Sequence, residues 1–141
     1  MKFFLDTNII VDFVMMREQF YLELAMLVDY ISSKNVEFYT SSHAIATTHY
    51  VCRKKYSENE IRVILENLLS MISVVSVDEE ILRKSLKSHH KDFEDAVQIF
   101  CAHQIKKLDG IITRNLKDFS TSEIPVFSPD EALIYIKKKL K

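Results

Sequence analysis

The chain has 141 residues and a mass of 16.5 kDa, is 48% hydrophobic and 28% charged, and balances 19 basic against 20 acidic side chains for a formal charge of −1. That length suits one domain over residues 1–141, and a chain of this size buries about two thirds of its unfolded surface, enough for a core without disulfides or a structural metal. Charge balance gives nucleic acid no bulk attraction, so such a partner has to be held locally, and Gly110, the single glycine, excludes dinucleotide turns, Walker phosphate loops, G-x-S-x-G elbows and EF-hand loops.

The opening MKFFLDTNIIVDFVMM is apolar, but Asp6 and Asp12 interrupt it and no small-residue cleavage site follows, so it does not read as a signal peptide. No uncharged apolar run approaches the roughly 18 residues that cross a bilayer. Cys52 and Cys101 have neither C-x-x-C nor zinc-type spacing. A reduced cytoplasmic location with no membrane association is the expectation.

Strand-type runs, short, apolar and bounded by polar residues, are predicted at Lys2–Leu5, Val36–Thr40, Ser73–Val77, Gly110–Thr113 and Val126–Phe127. Between them, residues 18–33 set Tyr21, Leu24, Val28 and Ile31 on one helical face, and residues 57–71 do the same with Ile61, Ile64, Leu65 and Leu68. Residues 92–106 form a helix apolar on almost every side. Ser128-Pro129-Asp130-Glu131 supplies N-cap, N1 proline and N3 glutamate for a last helix through Lys138. The lysine-rich tail Lys137–Lys141 reads as a solvated helix end on the negative pole of the dipole. Strand alternating with helix predicts an α/β fold, a parallel sheet with helices on both faces, whose ligand site lies beyond the carboxyl ends of the strands.

Three segments bring polar groups to that edge. Asp6-Thr7-Asn8 follows the first strand, where Asp6 serves equally well as a ligand or as a helix cap. Asp92-Phe93-Glu94-Asp95 opens the buried helix, with Asp92 as natural N-cap and Asp92 and Asp95 at the head of a stripe continuing through Ile99 and Ala102. Thr113-Arg114-Asn115 and Asp118 leave the fourth strand, where turn chemistry also accommodates Asn and Asp. Carboxylates gathered at one rim repel unless they share a cation, and hard oxygen donors select Mg²⁺ or Mn²⁺. Such an ion supports phosphodiester hydrolysis without a covalent nucleophile.

With Phe4-Leu5-Asp6-Thr7-Asn8, Asp92-Phe93-Glu94-Asp95-Ala96, Ile112-Thr113-Arg114-Asn115 and Asp118-Phe119, almost the whole chain resembles the PIN domain, the fold of VapC-type toxin ribonucleases. The resemblance implies a five-stranded parallel sheet in the order 3-2-1-4-5 and a Mg²⁺- or Mn²⁺-dependent endoribonuclease acting on RNA. It also implies a homodimer, and an antitoxin protein as partner. By position, Asp6, Asp95 and Asp118 become the catalytic acids and, with Asn115, the metal ligands, while Asn8, Asp92, Thr113 and Arg114 support them or face substrate. The family's usual Glu on the helix after strand 2 is absent: Ser41 to Tyr50 reads SSHAIATTHY, with Thr47 or a neighbour at that place. An alternative is therefore a catalytically weak module that binds RNA or a protein.

His43 and His49 on that helix read more readily as packed or surface residues than as catalysts. Arg53, Lys54, Lys55, Tyr50 and Tyr56 are candidate RNA contacts, though the wet side of a helix is the plainer reading. A haloacid-dehalogenase-like phosphatase needs D-x-D after the first strand, where Asn8 stands, and a receiver domain needs a Lys after the last strand, where Ser128-Pro129 follows.

Overall fold

Alternation in the first strand sets the architecture, because Phe3 and Leu5 point to one face of the sheet and Phe4 to the other. The computed structural model describes residues 1–33 and 35–140. In chain order the elements are β1 (Lys2–Leu5), α1 (Thr7–Met15), α2 (Glu18–Ser32), β2 (Glu37–Ser41), α3 (Ser42–Cys52), α4 (Glu58–Leu69), β3 (Ser73–Val75), α5 (Glu79–Lys87), α6 (Phe93–Ala102), β4 (Gly110–Ile112), a 3-10 turn (Leu116–Phe119), β5 (Val126–Phe127) and α7 (Pro129–Lys139). The five strands are all parallel, in the order β3-β2-β1-β4-β5 that the resemblance implies.

Phe3, Leu5, Phe38 and Ile112 join side chains of α1, α2, α4 and α7 in the larger core, whereas Phe4 and Ile111 pack with Ile81 of α5 and Val97 and Ile99 of α6. Helices thus cover both faces, as a parallel sheet requires. Register centres on Phe3, opposite Phe38 on one side and Gly110 on the other. Phe3 meets Phe127 edge-on at 5.9 Å. Both cysteines are free and buried. No helix among the described residues is long and apolar enough to cross a membrane.

Local signals set the boundaries. Ser57 and Ser128 each form a complete capping box, with Glu60 and Glu131, and Pro129 occupies the first turn of α7. β2 ends one residue later than its apolar run, because Ser41 pairs with Val75 and then caps α3 by accepting the Ala44 N–H. β3 stops at Val75, two residues short of the predicted strand, as Val77 turns to donate to the Ser42 hydroxyl. The helix predicted over 92–106 breaks after Ala102 into turns, with Lys107 in the left-handed region (φ 59°), so that the chain can re-enter the sheet at Gly110. Of the terminal lysine run, Lys141 lies outside the described residues.

Candidate functional site

β1 and β4 run side by side and end together, so the residues just beyond them, Asp6 and Thr113, become neighbours. The Asp6 N–H donates to the Ile112 carbonyl at 3.0 Å, which fixes the turn into α1. Asp6 both caps that helix and reaches inward: Oδ1 accepts the Thr7 N–H at 2.8 Å and the Gln98 amide at 3.2 Å, and Oδ2 accepts the Thr113 hydroxyl at 2.8 Å. The carboxyl that caps α1 is thus also the acceptor for donors from α6 and from the end of β4. Burial pushes the Asp6 carboxyl above its ordinary range, and the bonds from Thr113, Gln98 and Thr7 oppose that rise.

Gln98, on α6 and fully buried, organises this edge. Ser41 spends a lone pair on the Ala44 N–H, so its proton is available to Gln98 Oε1 at 2.5 Å. That contact turns Nε2 toward Asp6 and Thr7. The amide of Gln98 thereby joins the body of α6 to Ser41 at the end of β2 and to the Asp6 carboxyl at the end of β1.

Asp95, one turn before Gln98, lines with Asp6, Asn8, Thr47, Arg114 and Asn115 a pocket of about 250 Å³. Burial, followed by the negative fields of Asp92, Asp6, Asp118 and Glu94, pushes its carboxyl up to about 7. Among the described residues no cation pairs with it. Asp92 is exposed and spends Oδ1 capping α6 through the Asp95 N–H. Asp118 is also exposed and lines an adjoining pocket with Asp95, Asp92, Lys91 and Lys117, acting on Asp6 and Asp95 through its field. Asn115 is exposed at the rim of the Asp6 pocket.

Asn8 bridges, its amide donating to the Thr113 hydroxyl at 3.2 Å and its oxygen accepting the Arg114 N–H at 3.3 Å. Arg114 is held by Asp12, through Nε to Oδ2 and Nη2 to Oδ1, with its guanidinium 4.8 Å from the centre of the Phe20 ring. Asp12 also accepts from Arg17 at 2.9 Å and is fully buried. Sequence reading missed Asp12 and Gln98. An acid inside the apolar run of α1 was the available signal for Asp12, because a buried acid needs a paired cation. A lone neutral amide in a buried helix gave none for Gln98.

Thr47 lines the pocket at the place where the resemblance expects Glu, with its hydroxyl 3.5 Å from His43. His43 in turn lies 4.0 Å from Glu94. His49 contacts Glu58 at 2.7 Å and ties α3 to α4, away from the acids. Lys55 and Tyr56 donate to the carbonyls of Met15 and Val14, so they secure the end of α1. Tyr50, Arg53 and Lys54 remain exposed.

Among the described residues no three His, Cys, Asp or Glu side chains gather into a cage that would hold a metal alone. The donor set nonetheless fits a hard divalent ion: Asp6 and Asp95 share one pocket, Asn115 adds an amide oxygen, and the unpaired charge around Asp95 calls for a cation. Mg²⁺ is commonly held by one or two carboxylates, with water and substrate phosphate completing its shell.

No curated protein matches the chain. Its fold is similar to VapBC2 from Rickettsia felis bound to a promoter DNA fragment, with a TM-score of 0.62 at 20% identity over 91% of this chain and 98% of that one. It is also similar to FitAcB from Neisseria gonorrhoeae, with a TM-score of 0.63 at 22% identity over 90% and 97%. A toxin-antitoxin complex from Klebsiella pneumoniae gives 0.62 at 25% identity over 89% and 96%. Residues 2–117 match the PIN domain model. With that match over most of its length and a 3-2-1-4-5 sheet whose carboxyl edge gathers Asp6, Asp95 and Asn115, the chain belongs to the PIN domain family.

Proposed function

We propose that the chain is a Mg²⁺- or Mn²⁺-dependent endoribonuclease, the toxin of a toxin-antitoxin pair, working in the cytoplasm as a homodimer of one 141-residue domain. One observation carries the catalytic reading: Asp95, its carboxyl raised to about 7 and unpaired, opens into the same pocket as Asp6. The antitoxin rests on the toxin-antitoxin complexes among similar folds.

Asp6 and Asp95 would hold the ion, with Asn115 beside them and Asp118 adding negative potential from the next pocket. When bound, the ion polarises the phosphodiester and acidifies water. Thr113 and Gln98 keep the Asp6 carboxylate aimed by hydrogen bonds. Arg114, restrained by Asp12 and Phe20, offers the charge that meets a substrate phosphate at the pocket wall.

Purified protein with Mn²⁺ should cut RNA, and Asp6→Asn and Asp95→Asn should each lower cutting at least about a hundredfold with unchanged circular dichroism. Equal cutting by all three proteins overturns the reading. Thr47 at the expected Glu position favours a second reading, a weakly catalytic module that binds RNA or protein. Calorimetric titration separates the two, because an absence of heat with millimolar Mg²⁺ or Mn²⁺ supports the module.

A further inference from the structure

Most of the polar groups on the wall of the acid pocket are already engaged. Asp6 and Asp95 are the ion's carboxylates under the nuclease reading above, Thr7 accepts from the Gln98 amide, and Asn8 is bonded to Thr113 and Arg114. Arg114 has protons only to give, and Asn115 is a neutral amide. Two groups remain uncommitted: the Thr47 hydroxyl of α3 and the Glu94 carboxylate of α6. Both face one atom behind the wall, since Nε2 of His43 lies 3.5 Å from Thr47 Oγ1 and 4.0 Å from Glu94 Oε1.

The sequence sets up this convergence. His43 and Thr47 stand four residues apart on α3 and so share a helix face, and Glu94 sits in the first turn of α6. The His43 side chain is 37% exposed, so the ring meets Thr47 on one side and solvent on the other. Imidazole is the side chain best suited to taking up and returning a proton near neutral pH. Among the described residues Glu94 is the one acid within 4.0 Å of the ring, and a carboxylate there favours the charged form.

From this arrangement we infer that Thr47 and His43 form a proton relay leading out of the acid pocket, with Glu94 stabilising the charge that His43 acquires. The relay rests on the nuclease reading and supplies what the two acids, committed to the ion, do not: an acceptor for the proton of the attacking water. As that water forms its bond to phosphorus, its O–H bond breaks and the proton passes to Thr47 Oγ1, while the Thr47 proton passes to Nε2 of the neutral His43 ring. The bond from phosphorus to the leaving oxygen breaks, that oxygen takes a proton from solvent, and His43 returns its own to solvent. Catalytic hydrogen bonds are often long before substrate arrives and tighten with it, as the 3.5 Å between Thr47 and His43 requires.

The test is single-turnover cutting of a labelled RNA by the full chain, from about pH 5 to 9, at saturating Mn²⁺ so that the Asp95 proton does not compete. His43→Gln and Thr47→Val should each cut about a hundredfold more slowly, with Mn²⁺ affinity in calorimetry within about twofold of wild type. The double variant should be no slower than either single one, as residues acting as a unit require. Thr47→Ser keeps the hydroxyl and should retain most of the rate. His43→Gln should lose the acidic limb of the pH profile, and added imidazole should restore His43→Ala by about tenfold, neither of which a merely structural role would produce. Wild-type cutting that His43→Gln or Thr47→Val leaves unchanged overturns the relay and spares the nuclease. A larger loss in Glu94→Gln than in His43→Gln makes Glu94 the acceptor and overturns it too. Absence of Mn²⁺-dependent cutting by the wild-type protein removes both readings.

Discussion

The amide of Gln98 holds the Asp6 carboxylate at 3.2 Å from a helix on the opposite side of the sheet edge, with Ser41 fixing which end of the amide faces the acid. Gln98→Leu fills similar space but removes a donor from a buried carboxylate and an acceptor from Ser41. The loss should cost about 1–3 kcal/mol in urea unfolding and weaken Mn²⁺ binding in calorimetry. Unchanged Mn²⁺ affinity in a folded Gln98→Leu protein would show that Asp6 keeps its aim without the amide.

A carboxyl whose pKa is raised by folding binds its proton more tightly in the native state than in the unfolded chain. For Asp95, raised from 3.8 to about 7, the metal-free protein should therefore lose stability as pH climbs from about 4 to 7, and stay at the lower level above that. Asp95→Asn should remove this part of the slope. Thermal unfolding at pH 8 should find the variant more stable by roughly 1–2 kcal/mol, a figure discounted for partial solvent access. A less stable variant at that pH contradicts the prediction.

The same protonation competes with metal. Between pH 5 and 7, an ion that needs the Asp95 carboxylate has to displace its proton, so apparent Mn²⁺ affinity should rise by up to about tenfold per pH unit and level off above 7. Affinity flat across that range would remove Asp95 from the ligand set.

Asp12 joins two arginines that no other described acid pairs with. Asp12→Ala removes charge-assisted bonds at a fully buried position and should destabilise the fold by about 2–3 kcal/mol in denaturant titration. The exposed pair Arg83–Glu79 on α5 is the control, where Glu79→Ala should cost under about 1 kcal/mol.

Gly110 is demanded by its neighbours and not by its backbone angle. A Cβ there would stand 2.4 Å from Phe127 Cε2 and 3.0 Å from the Pro125 carbonyl oxygen. Gly110→Ala should push β5 from β4 and lower stability by about 1–3 kcal/mol in thermal unfolding.

The parts legible in the sequence were those whose cause is local. Short apolar runs bounded by polar residues marked the strands, and Ser128-Pro129-Asp130-Glu131 marked the start of α7, since caps and propensities act within a turn. The end of α1 was not legible, because Met16 takes a left-handed conformation (φ 54°) without the glycine that usually signals it. Asp6 could be placed at the sheet rim from its position after Leu5. Gln98 and Asp12 act through partners scores of residues away, Gln98 across 92 positions to Asp6 and Asp12 across 102 to Arg114, and a single sequence carries no mark of such pairings. Tyr50 and Tyr56 looked alike in sequence. One is exposed and the other bonded to the end of α1, a difference only the packing reveals.

A single residue, Asp6, links β1 to α1, and β2 passes into α3 with none between. Neither junction has slack for a hinge, so α1 and α3 are fixed to the ends of their strands, whereas α6, which carries Asp95, is joined to its neighbours through the turns before Asp92 and after Ala102. Any adjustment of the spacing between Asp6 and Asp95 therefore has to come from the α6 side of the pocket.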